Sequence, residues 1–187
     1  MSFTFNTVDV KEELVLALRA GLADFEYTGA GTIKVIKADP QTPSELPCIG
    51  LNRTDDSESD QSITDGEGTL YNKDTQELET FFGTFFSESI EVRVWHTNAD
   101  ERDKLYQTTK AILFAMRGDL VEKGLLNMTL RGGRDEQDST MAQAPMVLYW
   151  STITMSYLNP LDVSIISTVD AITAMPVLGG YNNTFDT

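Results

Sequence analysis

The stretch Phe81-Phe82-Gly83-Thr84-Phe85-Phe86-Ser87-Glu88-Ser89-Ile90-Glu91-Val92-Arg93-Val94-Trp95 is rich in the β-branched and aromatic residues that favour strands. In its second half apolar and polar residues alternate, so Ile90, Val92 and Val94 are predicted to share the face that enters the core. In its first half both faces are apolar, because phenylalanines stand on either side of Gly83-Thr84.

Two apolar faces on one strand have two explanations. An antiparallel strand at a surface normally keeps one face polar. This half of the stretch is therefore predicted either to be covered on both faces within the domain or to pass between subunits. The second explanation makes Phe81, Phe82, Phe85 and Phe86 candidate interface residues.

A helix is predicted directly after the stretch. Asn98 and Glu101 have the spacing of a capping box, which opens a helix. Gly124 ends it, since glycine is the usual residue just past a helix C-terminus. The predicted apolar stripe of this helix consists of Leu105, Thr109, Ile112, Met116 and Leu120.

Two strands follow that helix in the prediction. Residues 126–130 alternate as a strand, and Arg131-Gly132-Gly133-Arg134-Asp135 predicts a turn. The longest predicted strand covers 146–158, and Asn159-Pro160 closes it because proline disfavours a continuing ladder. The two strands are therefore expected to pair as a hairpin.

On the N-terminal side of the stretch the chain predicts one helix, two short strands and a loop. Asp9 has the position of an N-cap for an amphipathic helix over 9–26. Residues 32–37 and 48–51 are strand-like by their β-branched content. The segment 54–68 is acidic and without period, which indicates a surface loop.

The order of these elements predicts an α+β fold. Helices and strands do not alternate strictly, so a mainly antiparallel sheet flanked by two main helices is expected rather than a parallel one. We assign residues 1–160 to this single domain, with the acidic loop 54–68 inserted, and 161–187 to a C-terminal arm or tail. Ile165 and Ile166 of that tail are candidate interface residues, because a free apolar tail is prone to associate.

The charge of the chain argues against a nucleic-acid binder. Its 187 residues include 14 Lys+Arg and 29 Asp+Glu, a net charge of −15, whereas affinity for DNA comes largely from Lys and Arg. Nine acids lie in 53–79, and residues 135–187 hold six acids and no base. No apolar run approaches the roughly 20 residues of a membrane-spanning helix. The N-terminus lacks a basic start and an apolar stretch, which predicts a protein made and kept in a cytoplasm, without a membrane partner.

Metal binding and catalysis are both weakly supported by the residues. Asp56, Glu58, Asp60, Ser62, Thr64 and Glu67 match the ligand positions of a calcium loop. Gln61, however, stands where that loop needs glycine, so a solvated acidic loop is the preferred interpretation. The lone Cys48 and the lone His96 form a nucleophile–base pair only if the fold brings them together, and Cys48 is predicted to be a small buried thiol. We therefore predict no catalytic, cofactor-binding or metal residues and no enzyme.

The segment Glu91-Val92-Arg93-Val94-Trp95-His96-Thr97-Asn98-Ala99-Asp100-Glu101-Arg102-Asp103-Lys104-Leu105 resembles the tail-terminator and tail-completion (neck) proteins of long-tailed bacteriophages. The shared pattern is a strand ending in Trp, a short Asn/Asp turn, and a helix opening with Glu-Arg-Asp. The run from 124–130 to Ala144-Pro145-Met146-Val147-Leu148-Tyr149 and on to Asn159-Pro160 continues the likeness. The resemblance covers 9–160 in element order and 90–160 most sharply.

The resemblance implies a virion subunit that assembles in the host cytoplasm into a ring, commonly a homo-hexamer. Such a ring caps the head-proximal end of the tail tube, ends tube polymerisation and offers a surface for head–tail joining. Its partners would be copies of itself, the tail tube protein and the connector or neck protein, while DNA passes through the lumen without specific binding. An acidic lumen would suit that passage, because it removes the contacts that hold phosphates.

Two departures from the smaller family members leave alternatives open. The acidic loop at 54–68 and the tail after Pro160 also fit a neck or head-completion protein of similar fold. An acidic cytoplasmic binding module, or a DNA mimic, is the alternative from another class. The bases expected to contact acidic neighbours are Arg93, Arg102, Arg131 and Arg134.

Overall fold

A computed structural model describes residues 2–23, 32–59, 68–72, 75, 77–138 and 147–168. They form one mixed α+β domain, which confirms the predicted class. The strands are β1 Ser2–Thr7, β2 Lys34–Ile36, β3 Cys48–Glu58, β4 Gly68–Asn72, β5 Glu77–His96, β6 Leu126–Asp138 and β7 Leu148–Thr168. The helices are α1 Val10–Ala23, α2 Ala99–Ala115 and the short α3 Arg117–Glu122, and a 3-10 turn covers Pro43–Glu45.

One antiparallel pair forms the centre of the sheet. The 20 residues of β5 pair with β7 without a register shift, from Glu77 opposite Thr168 to His96 opposite Tyr149. The other edge of β5 pairs first with β4 and then with β3, and the other edge of β7 pairs with β6 and then with β1. β2 adds to β3 as the one parallel pair among the described strands.

The helices cover one half of the β5–β7 ladder. The predicted alternation is confirmed there, because Ile90, Val92 and Val94 are fully buried. They pack in one cluster against apolar residues of both long helices. Burial of a Leu or Val side chain contributes about 1.5–3 kcal/mol each, so this layer holds the sheet to the helices. Its helical members include Leu14, Leu18, Leu105 and Leu113.

Both predicted helix starts are confirmed by their caps. Asp9 Oδ1 accepts the backbone N–H of Glu12 at 3.1 Å, and Asn98 Oδ1 accepts that of Glu101 at 3.1 Å. The second predicted helix is divided, since Met116 ends α2 and precedes α3. Gly124 follows with a φ of +104°, a conformation that suits glycine.

The predicted turn at 131–135 is wrong. These residues continue β6, which pairs with β7 as far as Asp138 and shifts register between Gly132 and Asp135. The two glycines serve close packing rather than a turn. A Cβ at Gly132 would lie 2.7 Å from the Tyr106 hydroxyl, and one at Gly133 would lie 2.8 Å from the carbonyl oxygen of Thr152.

The predicted strand end at Asn159-Pro160 is also wrong, because β7 continues to Thr168. The carbonyl of Phe85, opposite Pro160, accepts the N–H of Ser59 on the far side of β5. Phe85 and Pro160 are therefore a non-hydrogen-bonded pair, and the ring nitrogen of Pro160 points to the other edge of β7. That edge has no described strand partner there, since β6 pairs up to Leu158 and β1 starts at Leu161. The missing N–H of proline thus breaks no ladder bond.

The acidic segment 54–68 is only partly described. Residues 54–58 extend β3 rather than forming a loop, and 68 begins β4. Residues 60–67, with most of the calcium-loop positions, lie outside the described residues, as does the tail from 169 onward.

Two helical glycines provide a matched test of the α1–α2 packing. A Cβ at Gly21 would lie 2.8–2.9 Å from three side-chain carbons of Ile112, whereas one at Gly118 meets nothing within 4 Å. Overpacking against a stiff β-branched side chain costs about 1–3 kcal/mol, and Gly to Ala in a helix gains about 1 kcal/mol. We expect Gly21→Ala to lower the free energy of unfolding and Gly118→Ala to raise it. Urea unfolding at one protein concentration measures both, and changes of the same sign would contradict the packing.

Candidate assembly interface

Beyond the helices, the β5–β7 pair is flanked by β4 and β1, and together they form a four-stranded part of the sheet that we call the extension. It consists of β1, β4, residues 77–86 of β5 and residues 159–168 of β7. None of these residues belongs to the buried clusters. All five residues of β4 and residues 4–7 of β1 are exposed. The extension is therefore a part of the domain that the described helices leave uncovered.

One face of the extension is apolar. The unshifted register continues the face of Ile90 onto the even-numbered residues of β5 and the odd-numbered residues of β7. The pairings place Phe5 of β1 and Tyr71 of β4 on the same side. We call this surface the extension face. Its apolar members are Phe5, Tyr71, Leu78, Phe82, Phe86, Leu161, Val163 and Ile165.

The extension face is exposed at three of its apolar members, half-buried at the other five, and carries no charged side chain within it. Phe5 is 67% exposed, Tyr71 51% and Phe82 41%. The remaining positions of this face on the four strands are threonines and the buried Asn159, apart from residues whose side chains the structure leaves undescribed. Glu58 of β3 stands at its border, where its carboxylate accepts the Thr84 hydroxyl at 3.2 Å. The acids of the extension lie on the opposite face: Glu77, Glu79 and Asp162.

The predicted apolar interface residues divide between the two faces. Phe82, Phe86 and Ile165 lie on the extension face, and the half-buried Phe85 and Ile166 lie on the opposite face. Phe81 belongs to β5, but its side chain lies outside the described residues. The strand is thus central within the sheet, yet the described elements do not cover its first half.

Two of the four predicted arginines are engaged inside the chain. Arg93 donates to Glu91 Oε2 at 3.0 Å through Nε and to Asp39 Oδ2 at 2.5 Å, and its guanidinium lies 5.4 Å from the ring centre of Trp150. Arg102 is 6% exposed and donates to Asp103 Oδ1 at 2.6 Å. Both are therefore poorly placed to contact another protein.

The other two predicted arginines lie on β6. Arg131 is exposed and pairs through its backbone with Thr154. Arg134 is in the same strand, but its side chain lies outside the described residues. Neither belongs to the extension, so the structure does not bring the four arginines together.

A buried carboxylate marks the boundary between the helix-covered half and the extension. Glu88 is 5% exposed and accepts the Tyr157 hydroxyl and the Asn159 Nδ2, each at 2.9 Å. Arg53 Nη2 lies 3.4 Å from the same carboxylate. Asn159 Nδ2 also donates to the Val8 carbonyl at 3.0 Å, in the link between β1 and α1. The Glu88 cluster therefore joins three strands and this link.

This cluster and five of the eight apolar members of the extension face were not predicted from the sequence. Glu88 stands on the same strand face as Ile90, and an acid at a core position was the available signal. Burial, together with the charge and hydrogen bond of Glu88, raises the pKa of Tyr157, so its hydroxyl stays a donor at neutral pH. For Phe5 and Tyr71 no local signal sufficed, because their positions depend on pairing with distant strands.

Cys48 and His96 lie at the same end of the sheet, since Cys48 pairs with Trp95. Burial, followed by the nearby Glu45 and Asp39, raises the pKa of the Cys48 thiol to about 12. The thiol is therefore protonated at neutral pH and a poor nucleophile. Burial lowers the pKa of His96, whose Nδ1 accepts the backbone N–H of Asn98 at 2.8 Å.

Within the described residues no three His, Cys, Asp or Glu side chains gather as a metal site. In the same part of the chain no helix is long and apolar enough to cross a membrane. No protein-family model matches the sequence, and no curated protein matches it either. The relation to tail terminators stays a prediction from the residues quoted above.

The Glu88 cluster is testable by an isosteric change. Glu88→Gln places an amide where two buried donors need acceptors, so one of them loses its partner. We expect the free energy of unfolding to fall by about 2–3 kcal/mol, the usual cost of an unsatisfied buried polar group. The control is Glu136→Gln, an exposed position on β6, expected to stay within about 0.5 kcal/mol. Equal stabilities in urea would show that the cluster contributes nothing.

The burial of Cys48 predicts that its thiol reacts slowly with labelling reagents in the folded chain. A thiol-specific disulfide reagent at pH 8 should label the folded chain far more slowly than the chain in concentrated urea, because thiolate is scarce and access is blocked. Absorbance of the released thiol gives both rates. Labelling at the same rate in both states would mean that Cys48 is accessible and reactive.

Proposed function

We propose that the chain is a structural subunit of a long-tailed bacteriophage that forms a ring on the head-proximal end of the tail tube. In this role it ends tube growth and presents a surface for the head connector. The proposal combines the resemblance over 90–160 with an α+β fold of fitting element order. It assigns no catalytic step to the chain, and it places the protein in the virion after assembly in the host cytoplasm.

The observation that carries the proposal is the uncovered extension face. Monomeric proteins rarely expose a large contiguous apolar patch, and such patches mark contact sites. Phe5, Tyr71 and Phe82 are each 41–67% exposed on one sheet surface. Burying a large apolar side chain contributes about 1.5–3 kcal/mol, so covering this face favours association between subunits.

The charge of the chain fits a protein that stands beside DNA without holding it. A net charge of −15 opposes tight contact with phosphates. Of the four arginines first considered for contacts, Arg93 and Arg102 are neutralised by carboxylates of their own chain. A lumen built from such subunits would let DNA slide, as the proposed role requires.

Removing the gene from a phage genome tests the role directly. If the chain is the terminator, we expect tail tubes longer than normal, because nothing ends their polymerisation, and electron microscopy of lysates measures their length. Resupplying the intact gene in trans should restore the normal length. Tails of normal length that fail to join heads would instead assign the chain to the neck or to head completion.

Native mass spectrometry tests the assembly separately. We expect the purified 20.8 kDa chain, alone or with tail tubes, to give a closed oligomer. A strict monomer that binds a basic protein and ignores tubes would contradict the proposal and favour an acidic binding module.

A further inference from the structure

A second exposed apolar surface lies on the helices. Phe114 of α2 is 68% exposed and Val121 of α3 is 47% exposed. Lys110, four residues before Phe114, is also exposed, and so is Arg117, three residues after it. Met116, between the two helices, has helical dihedral angles of −74° and −6°. Residues at these spacings share one side of a helix. We call this stripe the helix patch: Lys110, Phe114, Arg117 and Val121.

The helix patch and the extension face are complementary in charge. Lys110 and Arg117 form no ion pair with any residue that the structure describes. The four strand segments of the extension contain no Lys or Arg, and the acid that borders the extension face is Glu58, opposite Phe86. Glu58, at the border of the extension face, also makes no ion pair within the described part of the chain. The helix patch therefore combines apolar side chains with two cations, and the extension face combines apolar side chains with one carboxylate, Glu58, at its border.

We propose that the extension face of one copy packs on the helix patch of another copy. This inference rests on the proposed function, in which copies assemble, and it names the two surfaces that meet. Aromatic and aliphatic groups would be buried in the centre, with Glu58 opposite Lys110 and Arg117 at the rim.

Pairing of two extension faces with each other is less favourable. It would bring the Glu58 carboxylates of two copies to the same interface, on chains that already carry −15 each. Like charges across an interface oppose association. A contact between two different surfaces also leaves one extension face and one helix patch free on each pair of copies. Further copies can then add, as a ring requires. A ladder of 20 residues twists along its length, so the extension face and the helix patch of one chain need not point the same way.

Complementation between two variants tests the contact. Phe82→Asp damages only the extension face, and Phe114→Asp damages only the helix patch. We expect each variant alone to be monomeric by native mass spectrometry. Mixed in equal amounts, they should form a heterodimer that does not grow, because the intact extension face of Phe114→Asp fits the intact helix patch of Phe82→Asp.

Controls separate this result from misfolding and from other surfaces. Leu16→Asp changes an equally exposed leucine of α1, 53% exposed and outside both surfaces, and should assemble as the wild type does. Far-ultraviolet circular dichroism should be the same for all variants. The proposal is overturned if Phe114→Asp alone still assembles, if the mixture gives no heterodimer, or if the wild type stays monomeric at its highest soluble concentration.

A charge exchange tests the rim. Glu58→Lys and the double change Lys110→Glu with Arg117→Glu should each weaken association at least tenfold at low salt. A chain that carries all three substitutions should recover most of the lost association. Added salt should reduce the differences in association between the variants and the wild type. If association does not recover in the combined variant, the assigned rim pairing is excluded.

The two proposals fail in different ways. Oligomers that depend on both surfaces but leave tube length unchanged in the phage would support the contact and reject the terminator role. Rings that end tubes but tolerate both aspartate substitutions would support the role and reject the contact.

Discussion

The structure depends on the ladder between β5 and β7. Each of β1, β3, β4 and β6 pairs with one of these two strands, and β2 joins through β3. Because the register never shifts over 20 residues, one continuous face of the ladder meets two environments. Helices cover it around Val92, and no described helix covers it around Phe82. The core and the candidate interface are therefore two halves of one sheet surface. The interface half exists because β5 and β7 run beyond the helices that cover the core half.

The Glu88 cluster lies where these two halves meet. A carboxylate in an apolar face is costly unless its oxygens are hydrogen-bonded, and both oxygens of Glu88 have a neutral donor. Such a group tolerates few alternative arrangements, because any shift of β5 against β7 separates it from its partners. We interpret the cluster as a device that fixes the extension relative to the core. A purely apolar boundary would hold that orientation less specifically, since apolar contacts have no preferred direction.

Local signals in the sequence predicted the two main helices and the centres of the long strands, but not β1 or β4, whose positions depend on distant contacts. The caps at Asp9 and Asn98 and the alternation ending at Trp95 involve neighbours within a few residues, and they were predicted correctly. Gly132-Gly133 fits a turn as well as a packed strand, and only the position of Tyr106 distinguishes the two. A proline such as Pro160 ends a strand if its nitrogen faces a paired edge of that strand, and it is tolerated if its nitrogen faces an unpaired edge. Phe5 and Tyr71 join the candidate interface only through pairing, which no single sequence displays.

The pairing of β1 with the last part of β7 joins two segments that are far apart in the chain. Thr4 and Ser164 are 160 positions apart, yet their hydroxyls lie 2.7 Å from each other. During synthesis β1 leaves the ribosome before β7 and has no strand partner within the described part of the chain until β7 emerges. The residues of the helix-covered half up to Met155 precede that moment. In a nascent chain the extension is therefore complete only after residues 161–168 have been synthesised, so its apolar face forms later than the core residues that precede them.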